Sequence, residues 1–134
     1  LYALGRAKDS AKTLEGALPL AVRPAKDASG AWPEDAPEAA ARRSGLLGFL
    51  ANARLAHGDV PRALVALEEA LALARVHALR PQLQLLLSGL GNARLFVGEA
   101  RAAADYYDDA LRIARDLGNR EGEAVNLNNI ALAR

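Results

Sequence analysis

A chain of 134 residues is one domain's worth of polypeptide, enough to bury a real core. Hydrophobic residues make up 51% of it and aromatic residues only 4%. The core must therefore be built largely from Ala and Leu, strong helix formers, which favours an all-α fold over a strand-rich one. Seventeen basic side chains face sixteen acidic ones, a formal +1, with no block of like charge. Nucleic-acid binding, which needs concentrated positive charge, is excluded for this segment. The absence of Cys removes a disulfide framework and leans towards a reducing, cytoplasmic compartment. No apolar run reaches the roughly 18–20 residues of a membrane span, and LYALGRAKDS has no signal-peptide layout. The chain lacks Met altogether, and we read it as a piece of something longer.

In chain order, residues 1–22 read as the end of a cut repeat, mainly its second helix. LEGALPLA (Leu14 to Ala21) lies over LEEALALA (Leu67 to Ala74), and Gly5 lies over Gly58. Residues 23–36 contain RPAKDASGAWPED, rich in Pro, Gly, Ser and charge, and read as an insertion loop. Its Trp32 is expected to pack its ring on neighbouring helices, with partner contact as the alternative. Residues 37–79 form a full unit. Its first helix is expected from about Pro37 to His57, with Leu46, Leu47, Leu50, Ala53 and Leu55 at helical spacing. Gly58-Asp59 breaks that helix, and Pro61 suits the first turn of the next, which reaches about His77. Residues 80–119 repeat the plan, with a start at Pro81, a turn at Gly98-Glu99 and a stop near Gly118-Asn119. Residues 120–134 read as the first helix of a further, cut unit.

Self-similarity supports this division. A shift of forty residues brings Leu47 onto Leu87 and Leu127, and Leu50 onto Leu90 and Ile130. The run Asn52-Ala53-Arg54-Leu55 returns as Asn92-Ala93-Arg94-Leu95. Small residues recur where two helices must cross closely: Ala51/Gly91/Ala131, Ala63/Ala103 and Ala70/Ala110.

These positions resemble the tetratricopeptide repeat. Its pattern is met by Leu47, Leu50, Ala51, Gly58, Ala63, Leu67 and Ala70, and again by Leu87, Leu90, Gly91, Gly98, Ala103, Tyr107 and Ala110. The forty-residue period is similar to the long variant attached to large bacterial signalling proteins and ATPase-type transcriptional regulators. The resemblance implies an all-α, right-handed α-solenoid of antiparallel helix pairs, about seven helices in all. It also implies that first helices line a concave face used for binding. By the family pattern that face carries Gly45, Gly48, Phe49, Asn52, Leu55 and Ala56, then Leu85, Ser88, Gly89, Asn92, Leu95 and Phe96, and finally Val125, Asn128 and Asn129. Phe49, Asn52, Leu55, Ser88, Asn92, Leu95, Phe96, Asn128 and Asn129 are the candidate peptide- or partner-binding residues. A carboxamide donates and accepts, so Asn52 and Asn92 can bond a peptide backbone whatever its side chains, or else bond adjacent helices or water.

An Arg stands where the family usually has an aromatic, at Arg54, Arg94 and Arg134. By register these point towards the helix-pair interior, with stems buried and heads reaching carboxylates or carbonyls. Neither a phosphate loop, a GxSxG elbow nor an HExxH motif is present, so no enzyme activity, cofactor or metal is expected. GLGNAR (Gly89 to Arg94) lies inside a helix, His57 and His77 sit near helix ends, and Asp105, Asp108 and Asp109 read as a solvated face. The expected function is a protein-interaction segment of a larger bacterial regulator, holding a peptide or partner domain in the groove. The competing reading is an effector-sensing regulatory domain with a small ligand there. Self-association through uncapped ends is expected as well, because Val125, Leu127, Ile130, Ala131 and Leu132 lack a following helix to cover them.

Overall fold

The computed structural model describes Lys12, Glu15 and residues 37–134. The expected first unit end and insertion loop, with Trp32, lie outside the described residues. All regular structure among the described residues is helical: α1 (Pro37–Ala56), α2 (Val60–Val76), α3 (Arg80–Phe96), α4 (Ala100–Asp116) and α5 (Arg120–Ala133). Five of the seven expected helices are therefore seen, each within a few residues of its expected bounds. None is long and apolar enough to cross a membrane.

A twenty-residue beat sets the turns. Gly58, Ala78, Gly98 and Gly118 each adopt positive φ, at 86°, 51°, 84° and 67°. At each, the residue after the left-handed position donates its N–H five residues back: Asp59 to Arg54, Leu79 to Ala74, Glu99 to Arg94 and Asn119 to Ala114, all at 2.8–2.9 Å. The left-handed residue donates three back, to Leu55, Arg75, Leu95 and Arg115. The pair of bonds satisfies carbonyls that the helix end leaves open and turns the chain back within three residues. Asp59 and Asn119 then cap the next helix by accepting from the N–H of Arg62 and Gly122. Ala78 alone carries a Cβ at this left-handed position, which L-residues occupy at a cost of about 1–2 kcal/mol. Ala78→Gly should raise stability by about 0.5–1 kcal/mol in urea titration, less than the full strain because glycine gives up more backbone freedom. Unchanged or lower stability would mean that the alanine turn is unstrained.

Each helix packs against its neighbours in sequence, and α3 also touches both α1 and α5. Alanine makes this possible: Ala51, Ala63, Ala70, Ala74, Ala93, Ala103, Ala110 and Ala114 are all fully buried. One core cluster joins α1, α2 and α3 through Leu47, Leu55, Leu67, Leu86, Leu87 and Leu90. A second joins α4 and α5 through Ala103, Tyr107, Leu111 and Ile130. Ile130, expected on the uncovered face of the last helix, is buried in that second cluster instead. Its place at the crossing with Tyr107 and Leu111 explains the difference. Val125, Leu127 and Leu132 are exposed as expected.

The Arg column divides. Arg54 has a mostly buried side chain whose guanidinium donates to the carbonyl of Arg62 at 3.1 Å and to the Glu15 carboxylate at 2.5 Å. Arg94 is more open and reaches Glu99 at 3.1 Å, while Arg134 is exposed and only approaches Asp108, at 3.7 Å. Burial falls along the column, so the expected interior position holds best for Arg54.

Candidate functional site

The face shared by α1 and α3 carries a groove of about 200 Å³. Its walls are helical backbone with little on it. Gly45 and Gly48 on α1 and Gly89 on α3 supply no side chain, so the gap between the helices stays open. Leu67 of α2 and Leu86 of α3 form an apolar floor. A Cβ on Gly89 would stand 3.0 Å from a Leu67 methyl, and one on Gly48 would stand 3.4 Å from a Leu86 methyl. Gly89 thus lets α3 sit tightly on Leu67 of α2, whereas a Cβ at Gly48 would make ordinary contact and one at Gly45 would meet open space. Phe49 and Leu85 flank the opening, each 66% exposed, and so place two apolar side chains side by side at its mouth. Asn52, Gln82, Ser88 and Asn92 supply the polar rim. Among the described residues, none that lines it is charged.

Gly45, Gly48, Leu85 and Gly89 of the expected concave face line the groove, and of the nine candidate binding residues Phe49, Asn52, Ser88 and Asn92 come together here. The others do not. Leu55 is buried in the first core cluster with Val60 and Ala63, because the helix stops at Ala56 and the chain folds α2 back over that position. Leu95 is half-buried against the second cluster, whose members include Tyr107 and Leu111. Phe96 is 60% exposed but does not line the groove. Asn128 is exposed and Asn129 half-buried on α5, also away from it.

Between α3 and α5 the equivalent space is taken by a polar clasp. Gln84 accepts from the Asn119 side-chain amide at 2.9 Å through its Oε1. The Ser88 hydroxyl lies 2.8 Å from Asn126 Oδ1 and 3.1 Å from the Gln84 carbonyl. Asn126 in turn donates to the Gly122 carbonyl at 2.8 Å. Gln84 and Asn126 are buried, and among the described residues no buried side-chain polar atom lacks a partner. A Cβ on Gly122 would press on both Asn119 and Gln84, at 2.6 Å and 2.9 Å. The clasp escaped the sequence reading, although one signal was present: Asn126 falls in register with Leu46 and Leu86, a polar residue where two units place leucine.

The two repeat-equivalent asparagines differ. Tyr107, fully buried, donates its hydroxyl to Asn92 Oδ1 at 2.7 Å. Burial pushes the Tyr107 phenol above its ordinary pKa, so it holds the proton that it donates. The residue in the Tyr107 place beneath Asn52 is Leu67, which has no hydroxyl. Among the described residues the Asn52 side chain forms no hydrogen bond, and it is exposed.

The acidic trio on α4 lies apart from the groove. Asp109 approaches Arg112 and Asp108 approaches Arg134, each at 3.7 Å, while Asp105 is exposed. No family model matches the chain, and no curated protein matches it either.

Proposed function

We propose that the chain is a tetratricopeptide-like α-solenoid segment of a larger cytoplasmic bacterial regulator, a binding module and not an enzyme, that holds an extended peptide between α1 and α3. Support for the solenoid comes from the packing, in which α1 meets α3 and α3 meets α5 in addition to contacts between neighbours in sequence. First helices therefore gather on one side, the side that carries the groove.

The observation that carries the binding reading is the groove's make-up: glycine walls, a leucine floor, exposed Phe49 and Leu85, and an uncharged carboxamide rim. An apolar peptide side chain fits between the helices, and the rim meets the flanking peptide bonds. The effector-sensing reading has less behind it. Pockets for small molecules run from about 300 to 1,000 Å³; this groove, at about 200 Å³, suits one side chain better than a whole metabolite.

The test selects binders from a displayed random dodecapeptide library on the full chain and measures the selected peptides by calorimetry. Asn52→Ala and Phe49→Ala should each weaken binding by about 1–3 kcal/mol without unfolding the chain. Asp105→Ala and Asp109→Ala should leave it unchanged. Equal weakening from the two Asp variants would move the site to the opposite face, and a library that yields no binder would sink the reading.

A further inference from the structure

We propose that Tyr107 is a positioning residue that locks the Asn92 carboxamide with its NH2 group towards the groove, making Asn92 a dedicated donor to a backbone carbonyl of the bound peptide. The proposal rests on the peptide reading of the groove and names which peptide atom Asn92 takes. A free carboxamide turns over and offers either face; here a flip would leave the Tyr107 hydroxyl proton without its acceptor among the described residues, which holds the oxygen in place. Tyr107 Oη lies 2.7 Å from Asn92 Oδ1, and the ring that carries it is fully buried. The Asn92 oxygen is thus occupied from below, while the residue itself is exposed and lines the groove. With the oxygen held towards Tyr107, the edge of the carboxamide that is turned away from the ring carries its N–H donors.

The ring reaches this place because residue 91 is glycine. A Cβ there would lie 2.5 Å from Tyr107 Cε1, so any larger residue displaces the hydroxyl from Asn92. One unit earlier, Ala51 and Leu67 stand at the same two positions. Leu67 offers no hydroxyl, so among the described residues Asn52 keeps both a donor and an acceptor for the ligand. Two asparagines that the repeat makes equivalent thus have different roles: Asn52 adapts to either peptide group, and Asn92 selects carbonyl oxygen.

Two variants separate these roles. Asn92→Asp keeps an acceptor for the Tyr107 hydroxyl and removes the donors. Tyr107→Phe keeps the ring and removes the lock. In the free chain, the 15N order parameter of the Asn92 side-chain amide should be high and should fall clearly in Tyr107→Phe, with thermal unfolding confirming a folded chain. For peptides selected on the native chain, Asn92→Asp should weaken affinity about tenfold, and Tyr107→Phe about threefold. Full affinity in Asn92→Asp would overturn the donor assignment. An Asn92 amide equally ordered with and without the hydroxyl would overturn the positioning role. A library that yields no peptide would overturn the reading of the groove and the donor role with it, while the order parameter still reports on the lock itself.

Discussion

Leu67→Ala is expected to destabilise the chain by about 3 kcal/mol, within the range of roughly 2–5 kcal/mol for emptying a leucine-sized site in a core. Leu67 is almost wholly buried and belongs to the cluster that joins α1, α2 and α3. Its cost should stay within that range, not fall below it, because the walls around it have little room to close inwards. The nearest approach is Gly89, whose missing side chain already brings α3 to within 3.0 Å of the leucine methyl as measured from an ideal Cβ. Moving α3 further would strain the α3–α5 clasp, in which Gln84 and Ser88 are hydrogen-bonded. The same leucine floors the groove, so the variant should also open it towards α2. Urea unfolding with a shared m-value gives the stability change. A loss below about 1 kcal/mol would show that α3 settles into the space, and that the glycine-lined face is more plastic than its contacts imply.

The second large effect is a reversal of sign. Gly91→Ala places a methyl group 2.5, 2.7 and 2.9 Å from three atoms of the Tyr107 ring. A contact with three ring atoms cannot be relieved by swinging a chain end; the ring must shift as a body, and its hydroxyl is bonded to Asn92 at 2.7 Å. Overpacking of this kind costs about 1–3 kcal/mol, and alanine's better helix propensity returns about 1 kcal/mol, so a net loss of up to about 2 kcal/mol is expected. In a Tyr107→Leu background the two positions carry the pair found one unit earlier, Ala51 with Leu67. There the same Gly91→Ala change should stabilise by about 1 kcal/mol, because only the propensity gain remains. The double-mutant cycle should therefore return a coupling of about 1–3 kcal/mol, the overpacking cost itself. Simple additivity of the two changes would contradict the arrangement of ring and glycine.

The groove and the clasp also explain why, among the described residues, an open cleft lies between α1 and α3 and not between α3 and α5. Where α1 faces α3, glycines withhold side chains and leave a cleft. Where α3 faces α5, Gln84, Ser88, Asn119 and Asn126 fill the same region and satisfy one another. A buried, fully paired polar set tolerates little rearrangement, since each broken partner leaves another unsatisfied. The clasp therefore holds α5 in a defined register on α3, and the open interface is left to α1 and α3.

What the sequence determined by itself was local. The α1 to α5 helices, their turns near residues 58, 98 and 118 and the buried alanine seams all follow from apolar spacing, glycine at left-handed positions and proline in first turns. These signals act over a few residues, so the chain carries them wherever it is read. Ala78 shows the edge of that rule: it turns like its glycine counterparts because the helices on either side require the turn, not because alanine favours it. The tertiary structure alone decided which side chain each polar group would meet. Asn52 and Asn92 are equal in the repeat, yet only Asn92 meets a hydroxyl, from a residue 15 positions away. Asn126 is buried because Ser88 lies 38 positions back, and Leu55 leaves the groove because α2 folds over it. Repetition determines where the backbone goes, whereas the fate of each side chain depends on whichever residue a neighbouring helix sets against it, and those residues differ from one unit to the next.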